Sequence, residues 1–105
     1  MRHFSSIELK NYLDNGKQPL LLDVREPWEF QIAQIEGSHL IPMRQISQQA
    51  ATLDPNQEIV LICHHGIRSR QVGYFLESAG FANLINLTGG VEAWARDVDP
   101  NMPTY

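Results

Sequence analysis

Short, uninterrupted apolar runs alternate along this chain with stretches in which apolar residues recur every three or four positions. The runs are Leu20 to Val24, Glu58 to Cys63 and Leu84 to Leu87, with a shorter one at His39-Leu40-Ile41-Pro42 cut off by its proline. They are too short for ordinary helices and predict strands. Glu58 to Cys63 is the strongest of them. Its interior is apolar on both alternating faces, as expected of a central parallel strand covered by helices on both sides.

Between the runs the period changes. Leu9, Tyr12 and Leu13 share a helical face behind Ser5 and Glu8, which fit a capping box, and Gly16 ends that helix. Pro27 suits the first position of a short helix through Trp28 and Phe30, because its missing N–H would lack a partner there anyway. Ile46, Ala50 and Leu53 repeat at helical spacing, and Asp54-Pro55-Asn56 is a turn signal. Val72, Phe75, Leu76 and Ala79 form an amphipathic stripe capped by Gly80. After the turn Thr88-Gly89-Gly90, Val91, Trp94, Ala95 and Val98 make one more helical face. Strands alternating with helices predict an α/β fold with a mostly parallel sheet. In such sheets ligands bind beyond the carboxyl ends of the strands.

Composition narrows the picture. A chain of 105 residues suits one domain spanning residues 1–105, and 43% hydrophobic with 19% charged residues is enough to build a core. A formal net charge of −4 argues against a nucleic-acid surface, which needs clustered Lys and Arg. No run is long enough to cross a bilayer, and the first residues lack the apolar core of a signal peptide. The single cysteine excludes an internal disulfide and a Cys-x-x-Cys pair. Together these lead us to expect a soluble, cytoplasmic protein in a reducing compartment, with no nucleic-acid or membrane partner.

That cysteine lies where chemistry is expected. Cys63-His64-His65-Gly66-Ile67-Arg68-Ser69 joins the strongest strand to the clearest helix. Unpaired N–H groups of the first helical turn and a partial charge of about +0.5 from the helix dipole would favour an anionic sulfur at this point. Gly66 permits a tight turn and keeps a side chain out of the anion's path. His64 and His65 could add positive charge, and Arg68 could hold an anionic donor by charge-assisted hydrogen bonds. Ser69 could cap the helix or donate to the sulfur. Taken alone, a cysteine ending an apolar strand is more often a small buried hydrophobe. The Gly- and Arg-containing turn into a helix moves the reading to a reactive thiolate. Adjacent histidines rarely converge on one ion and the usual Cys/His ligand spacing is missing, so no metal is expected.

Four segments resemble the rhodanese family in order and spacing, over nearly the whole chain: residues 21–30 (Leu-Leu-Asp-Val-Arg-Glu-Pro-Trp-Glu-Phe), 35–42, the Cys63 loop, and 87–94 (Leu-Thr-Gly-Gly-Val-Glu-Ala-Trp). The resemblance implies a five-stranded parallel sheet with helices on both faces, no cofactor, and Cys63 as carrier of a sulfane sulfur. It implies a donor such as thiosulfate and a thiophilic acceptor: cyanide, a thiol, a dithiol or a protein. Asp23 and Arg25 match the family's Asp-x-Arg pair and would brace the loops around the site, the alternative being a surface ion pair of little energy. The chain departs from the family pattern at Gln34, often a histidine, and at His64, often Arg, Lys or Gln. An imidazole is a weaker and pH-dependent anion binder.

Two rival functions compete. Cysteine phosphatases and arsenate reductases resemble this loop but place five residues between Cys and Arg, where this chain has four, His64 to Ile67. A non-enzymatic rhodanese-like module would regulate or bind a partner, usually after losing the cysteine. The tail, residues 98–105, resembles the end of rhodanese domains attached to enzymes that activate ubiquitin-like sulfur carriers. It suggests a sulfur relay to a protein partner, or merely a cover for an edge of the sheet.

Overall fold

The apolar runs become the middle of a five-stranded parallel sheet. A computed structural model describes residues 1–105. The strands are β1 (Arg2–Phe4), β2 (Leu20–Asp23), β3 (His39–Leu40), β4 (Ile59–Ile62) and β5 (Leu84–Leu87). They lie in the order β1-β5-β4-β2-β3, and each neighbouring pair is parallel. The helices are α1 (Ser6–Asp14), α2 (Pro27–Ile32), α3 (Ile46–Gln49), α4 (Ile67–Ser78) and α5 (Gly90–Asp97).

Alternation along the central strand divides the core into two layers. On β4, Val60 and Ile62 face one cluster with Leu9, Leu21, Ile85, Leu87, Val91 and Trp94. Ile59, Leu61 and, just beyond the strand, Cys63 face another with Leu22, Val24, Ile46, Val72 and Leu76. Every residue of β4 and of β5 is buried, which is what a strand covered on both faces requires.

Several local expectations hold at the atomic level. Ser5 and Glu8 form the capping box of α1: the Glu8 amide donates to Ser5 Oγ and the Ser5 amide donates to Glu8 Oε1. Pro27 opens α2, and a second capping box joins the Glu26 amide to Glu29 Oε2 at 2.9 Å.

Other expectations need correction. Arg2–Phe4 is an edge strand paired only to β5, and its half-exposed, polar sequence gives no strand pattern. The stretch expected as a helix around Ile46, Ala50 and Leu53 breaks into a single α-turn flanked by two 3-10 turns, Met43–Gln45 and Ala50–Thr52. Phe75 belongs to the helical stripe of α4 yet is 43% exposed; Val72 and Leu76 fill the core, while Phe75 borders a shallow groove with Met43 and Ile46.

Candidate active site

Cys63 follows the last residue of β4, and the loop it opens returns as α4 after three intervening residues. The sulfur lies at the floor of that loop, and the residue is only 1% exposed. The Gly66 amide donates to Sγ at 3.0 Å. On the other side Sγ meets Ser69 Oγ at 3.3 Å, and the Ser69 hydroxyl in turn donates to Asn86 Oδ1 on β5. Of the two roles expected for Ser69, the contact to the sulfur is present; α4 has no side-chain cap. When the thiol ionises, the sulfur becomes purely an acceptor and the Ser69 hydroxyl is in reach to donate to it.

Asn86 is the polar residue that sequence reasoning missed. It is 2% exposed, and besides Ser69 it supports the loop through an Nδ2 bond to the Gly66 carbonyl at 3.3 Å. The available signal was one amide inside the otherwise apolar run Leu-Ile-Asn-Leu. A buried amide of this kind must find partners or cost stability.

The shape of the loop is imposed from α5. The Val91 amide donates to the Cys63 carbonyl at 2.9 Å and the Glu92 amide to the His64 carbonyl at 3.2 Å. Free N–H groups of a helix start are thereby satisfied by the loop's carbonyls. All peptide bonds are trans, so turning these two carbonyls toward α5 turns the His64 and His65 amides away from α5. Gly90 makes this close approach possible: a Cβ there would sit 2.3 Å from both carbonyl oxygens, and its φ is +58°. Gly66, at φ +95°, makes the tight turn expected of it. Its missing Cβ also makes room for the Thr88-Gly89 turn, 3.1–3.3 Å away.

Arg68 is not a free cation. Its Nη1 and Nη2 donate to Glu29 Oε2 and Oε1 at 2.7 and 2.8 Å, so both arms of the fork are taken by a carboxylate that is 4% exposed. The Arg68 hydrogen bonds, opposed by burial and helped by the Glu26 amide and Tyr105, hold the Glu29 carboxyl down at about 2. The same partner pushes the Arg68 guanidinium well above its ordinary range. Glu29 was quoted in the family-like segment, but its part in the site was not foreseen.

Asp23 and Arg25 form no surface pair: both side chains are fully buried. Arg25 Nε donates to Asp23 Oδ1 at 2.9 Å and Nη2 to Oδ2 at 2.7 Å. The remaining donors reach the Ala33 carbonyl at 2.6 Å, the Glu29 carbonyl at 3.3 Å and the Tyr105 hydroxyl at 2.8 Å. One guanidinium thus ties the end of β2 to both ends of α2's last turn and to the tail. The pair is thus no surface contact, and it braces β2, α2 and the tail from inside the protein.

His64 and His65 stack on each other, ring centroids 4.0 Å apart. His65 Nε2 is 2.8 Å from Glu92 Oε2 at the surface. One ligand atom from each of His64, His65 and Glu92 lies within 4.8 Å of the others. The two imidazoles lie nearly parallel at 27°, so their lone pairs, which lie in the ring planes, do not converge on one point in this arrangement. Burial, with the neighbouring His65 charge, holds His64 below the ordinary imidazole range. Ile67 projects outward from the start of α4 and is exposed. The tail does more than cover a sheet edge: Met102 enters the core and Tyr105 stacks on His64 at 4.1 Å.

The model of the rhodanese-like domain matches residues 5–97. The thiosulfate sulfurtransferase GlpE of Vibrio cholerae is 30% identical over 98 residues, covering 91% of this chain and 92% of that protein. The adenylyltransferase and sulfurtransferase MOCS3-2 of Zea mays is 37% identical over 105 residues, covering 93% of this chain. The chain spans only about a quarter of the length of curated relatives of that larger kind. Among solved structures, a rhodanese-like domain protein of Staphylococcus aureus superposes with a TM-score of 0.83 at 33% identity, covering 90% of this chain and 91% of that one.

Proposed function

The chain belongs to the rhodanese-like domain family, and on that premise we propose that it is a sulfurtransferase carrying sulfane sulfur on Cys63. The observation that carries this reading is the Cys63 sulfur itself, enclosed by a loop whose Gly66 amide and Ser69 hydroxyl both reach it.

The reaction runs in two halves. The Cys63 thiolate attacks the outer sulfur of a donor such as thiosulfate. A new S–S bond forms, the donor's S–S bond breaks, and sulfite leaves with the bonding pair. The persulfide that results has its terminal sulfur among the loop amides. The His64 and His65 N–H groups, turned away from α5, are candidates to stabilise its charge. A thiophilic acceptor then attacks the terminal sulfur, and Cys63 leaves as the thiolate. Cyanide would give thiocyanate; a thiol, a dithiol or a protein thiol would take the sulfur as a persulfide. Both leaving groups depart as anions, so no general acid is required.

The phosphatase reading is disfavoured by the loop's length, with four residues between Cys63 and Arg68 where those enzymes place five. The pure binding-module reading is disfavoured by the presence and setting of Cys63.

Covalent transfer in two halves predicts ping-pong kinetics. Varying thiosulfate at several fixed cyanide concentrations should give parallel double-reciprocal lines, and Cys63→Ser should lose turnover while keeping its circular dichroism spectrum. Intersecting lines, or near wild-type turnover in the serine variant, would rule out the mechanism.

A further inference from the structure

Tyr105 lies outside the loop yet touches several parts of this site. Tyr105 stacks on His64 with ring centroids 4.1 Å apart and planes at 19°. Its hydroxyl donates to Glu29 Oε1 at 2.9 Å and accepts from Arg25 Nη1 at 2.8 Å. The ring packs edge-to-face with Trp28, a residue 58% exposed at the start of α2, and the Arg25 guanidinium lies 5.8 Å from its centroid. Met102, buried in the core three residues earlier, anchors the tail that delivers it.

We propose that Tyr105 is a positioning residue of the sulfur-transfer site: its ring fixes His64 as a wall of the Cys63 loop, and its hydroxyl couples that wall to the Arg25 and Glu29 braces. The proposal rests on the reading of Cys63 as the sulfur carrier. Two contacts and one comparison support it. The stack covers one face of His64 while His65 covers its neighbourhood on the other side. The hydroxyl bridges the two ion pairs that set the loop's surroundings, Asp23–Arg25 and Glu29–Arg68. A tyrosine needed only to anchor the tail would not have to meet His64 face to face, because Met102 already performs the anchoring.

The fixed charges at the mouth are paired, Arg68 with Glu29 and Arg25 with Asp23, and the His64 imidazole lies beside them under the Tyr105 ring. The groups facing His64 are His65 in the loop, Glu92 from α5, Glu29 from α2, Arg25 after β2 and the Tyr105 hydroxyl. Removing the aromatic cover should therefore free His64 to move and to protonate more readily. Above neutrality, where the imidazole is neutral with or without its cover, loss of the fixed wall should weaken donor binding, while below neutrality the added protonation should partly offset that loss.

The test compares Tyr105→Phe, which keeps the ring and loses the hydroxyl, with Tyr105→Ala, which loses both. His64 titration is followed by NMR on the unloaded protein, and thiosulfate loading of Cys63 by rapid-mix kinetics across pH. In Tyr105→Ala the His64 midpoint should rise toward the ordinary imidazole value. KM for loading at pH 8 should rise about tenfold, with kcat changed less than about threefold. Tyr105→Phe should restore the titration and most of the KM. If both variants merely lower the melting temperature, with an unchanged His64 midpoint and unchanged KM, Tyr105 is only a tail anchor and the proposal is overturned. A shifted midpoint with unchanged KM overturns it as well. The NMR titration needs no sulfur transfer, so a wild-type protein that takes no sulfur would count against the reading of Cys63 and not against the placement of His64.

Discussion

Glu29 shows how much one side chain can hold. It closes the capping box of its own helix, receives both arms of Arg68 and accepts from Tyr105, all while 4% exposed. A buried carboxylate without such partners would be costly; with them its charged form is favoured strongly enough to bring the group from 4.5 to about 2. A lowered folded-state value means that the stabilisation is fully present above the unfolded value and is lost as pH falls from about 4.5 toward 2. At about 1.4 kcal/mol per unit, discounted for the partly exposed Arg68, the contribution is on the order of 2–3 kcal/mol. Glu29→Gln should therefore lower the urea midpoint of unfolding clearly at pH 7 and much less at pH 2.5. An equal gap at both pH values would show that the charge is not what stabilises the contact. The Glu26–Glu29 capping box emerges only in the structure. The partnership with Arg68, 39 positions away, has no local signature.

At the scale of elements, the active loop is shaped by a helix that carries none of its chemistry. The first amides of α5 hold the carbonyls of Cys63 and His64, and Gly90 lets the two backbones meet. Gly90→Ala would place a Cβ 2.3 Å from two backbone oxygens, and no flexible side chain is there to yield. It should cost more than about 2 kcal/mol and displace the loop, reducing sulfur loading of Cys63 at least as sharply as stability. Gly37→Ala is the matched comparison: φ is also positive, +83°, but nothing lies within 4 Å of the new Cβ. It should cost about 1–2 kcal/mol of backbone strain and leave loading intact. Thermal melts and mass measurement of the loaded fraction on the two variants decide this; equal loading in both would show that the α5 contact does not shape the site. Thr88-Gly89-Gly90 is legible in the sequence as a turn. Its second role, meeting another backbone, is a tertiary fact that periodicity does not carry.

For the whole molecule, the pattern of apolar positions was sufficient where burial is complete. β4 and β5 are buried at every residue, and Val72 and Leu76 of α4 and Leu9 of α1 enter the core as expected, while Phe75 and Ala79 of the expected α4 stripe are exposed. It failed at one edge of the sheet, β1, although the short strand β3 at the other edge was legible. β1 pairs on one side only and shows a polar, half-exposed sequence, so nothing in Arg2–Phe4 announces a strand except the partner it finds in β5. The site was legible in the same uneven way. Cys63, Gly66 and Ser69 follow from a loop between strand and helix. Asn86, Glu29 and Tyr105 reach it from β5, α2 and the tail, and are brought there only by the order of strands in the sheet.

No helix is long and apolar enough to cross a membrane. The central claim is that Cys63, enclosed between sheet and helix, takes up sulfur and gives it away. Intact mass spectrometry of the purified protein before and after thiosulfate, followed by a dithiol, tests it most directly. The account predicts a gain of one sulfur atom that the dithiol removes and that Cys63→Ser never acquires. If neither thiosulfate nor a low-molecular-weight persulfide adds sulfur to Cys63, the account is contradicted.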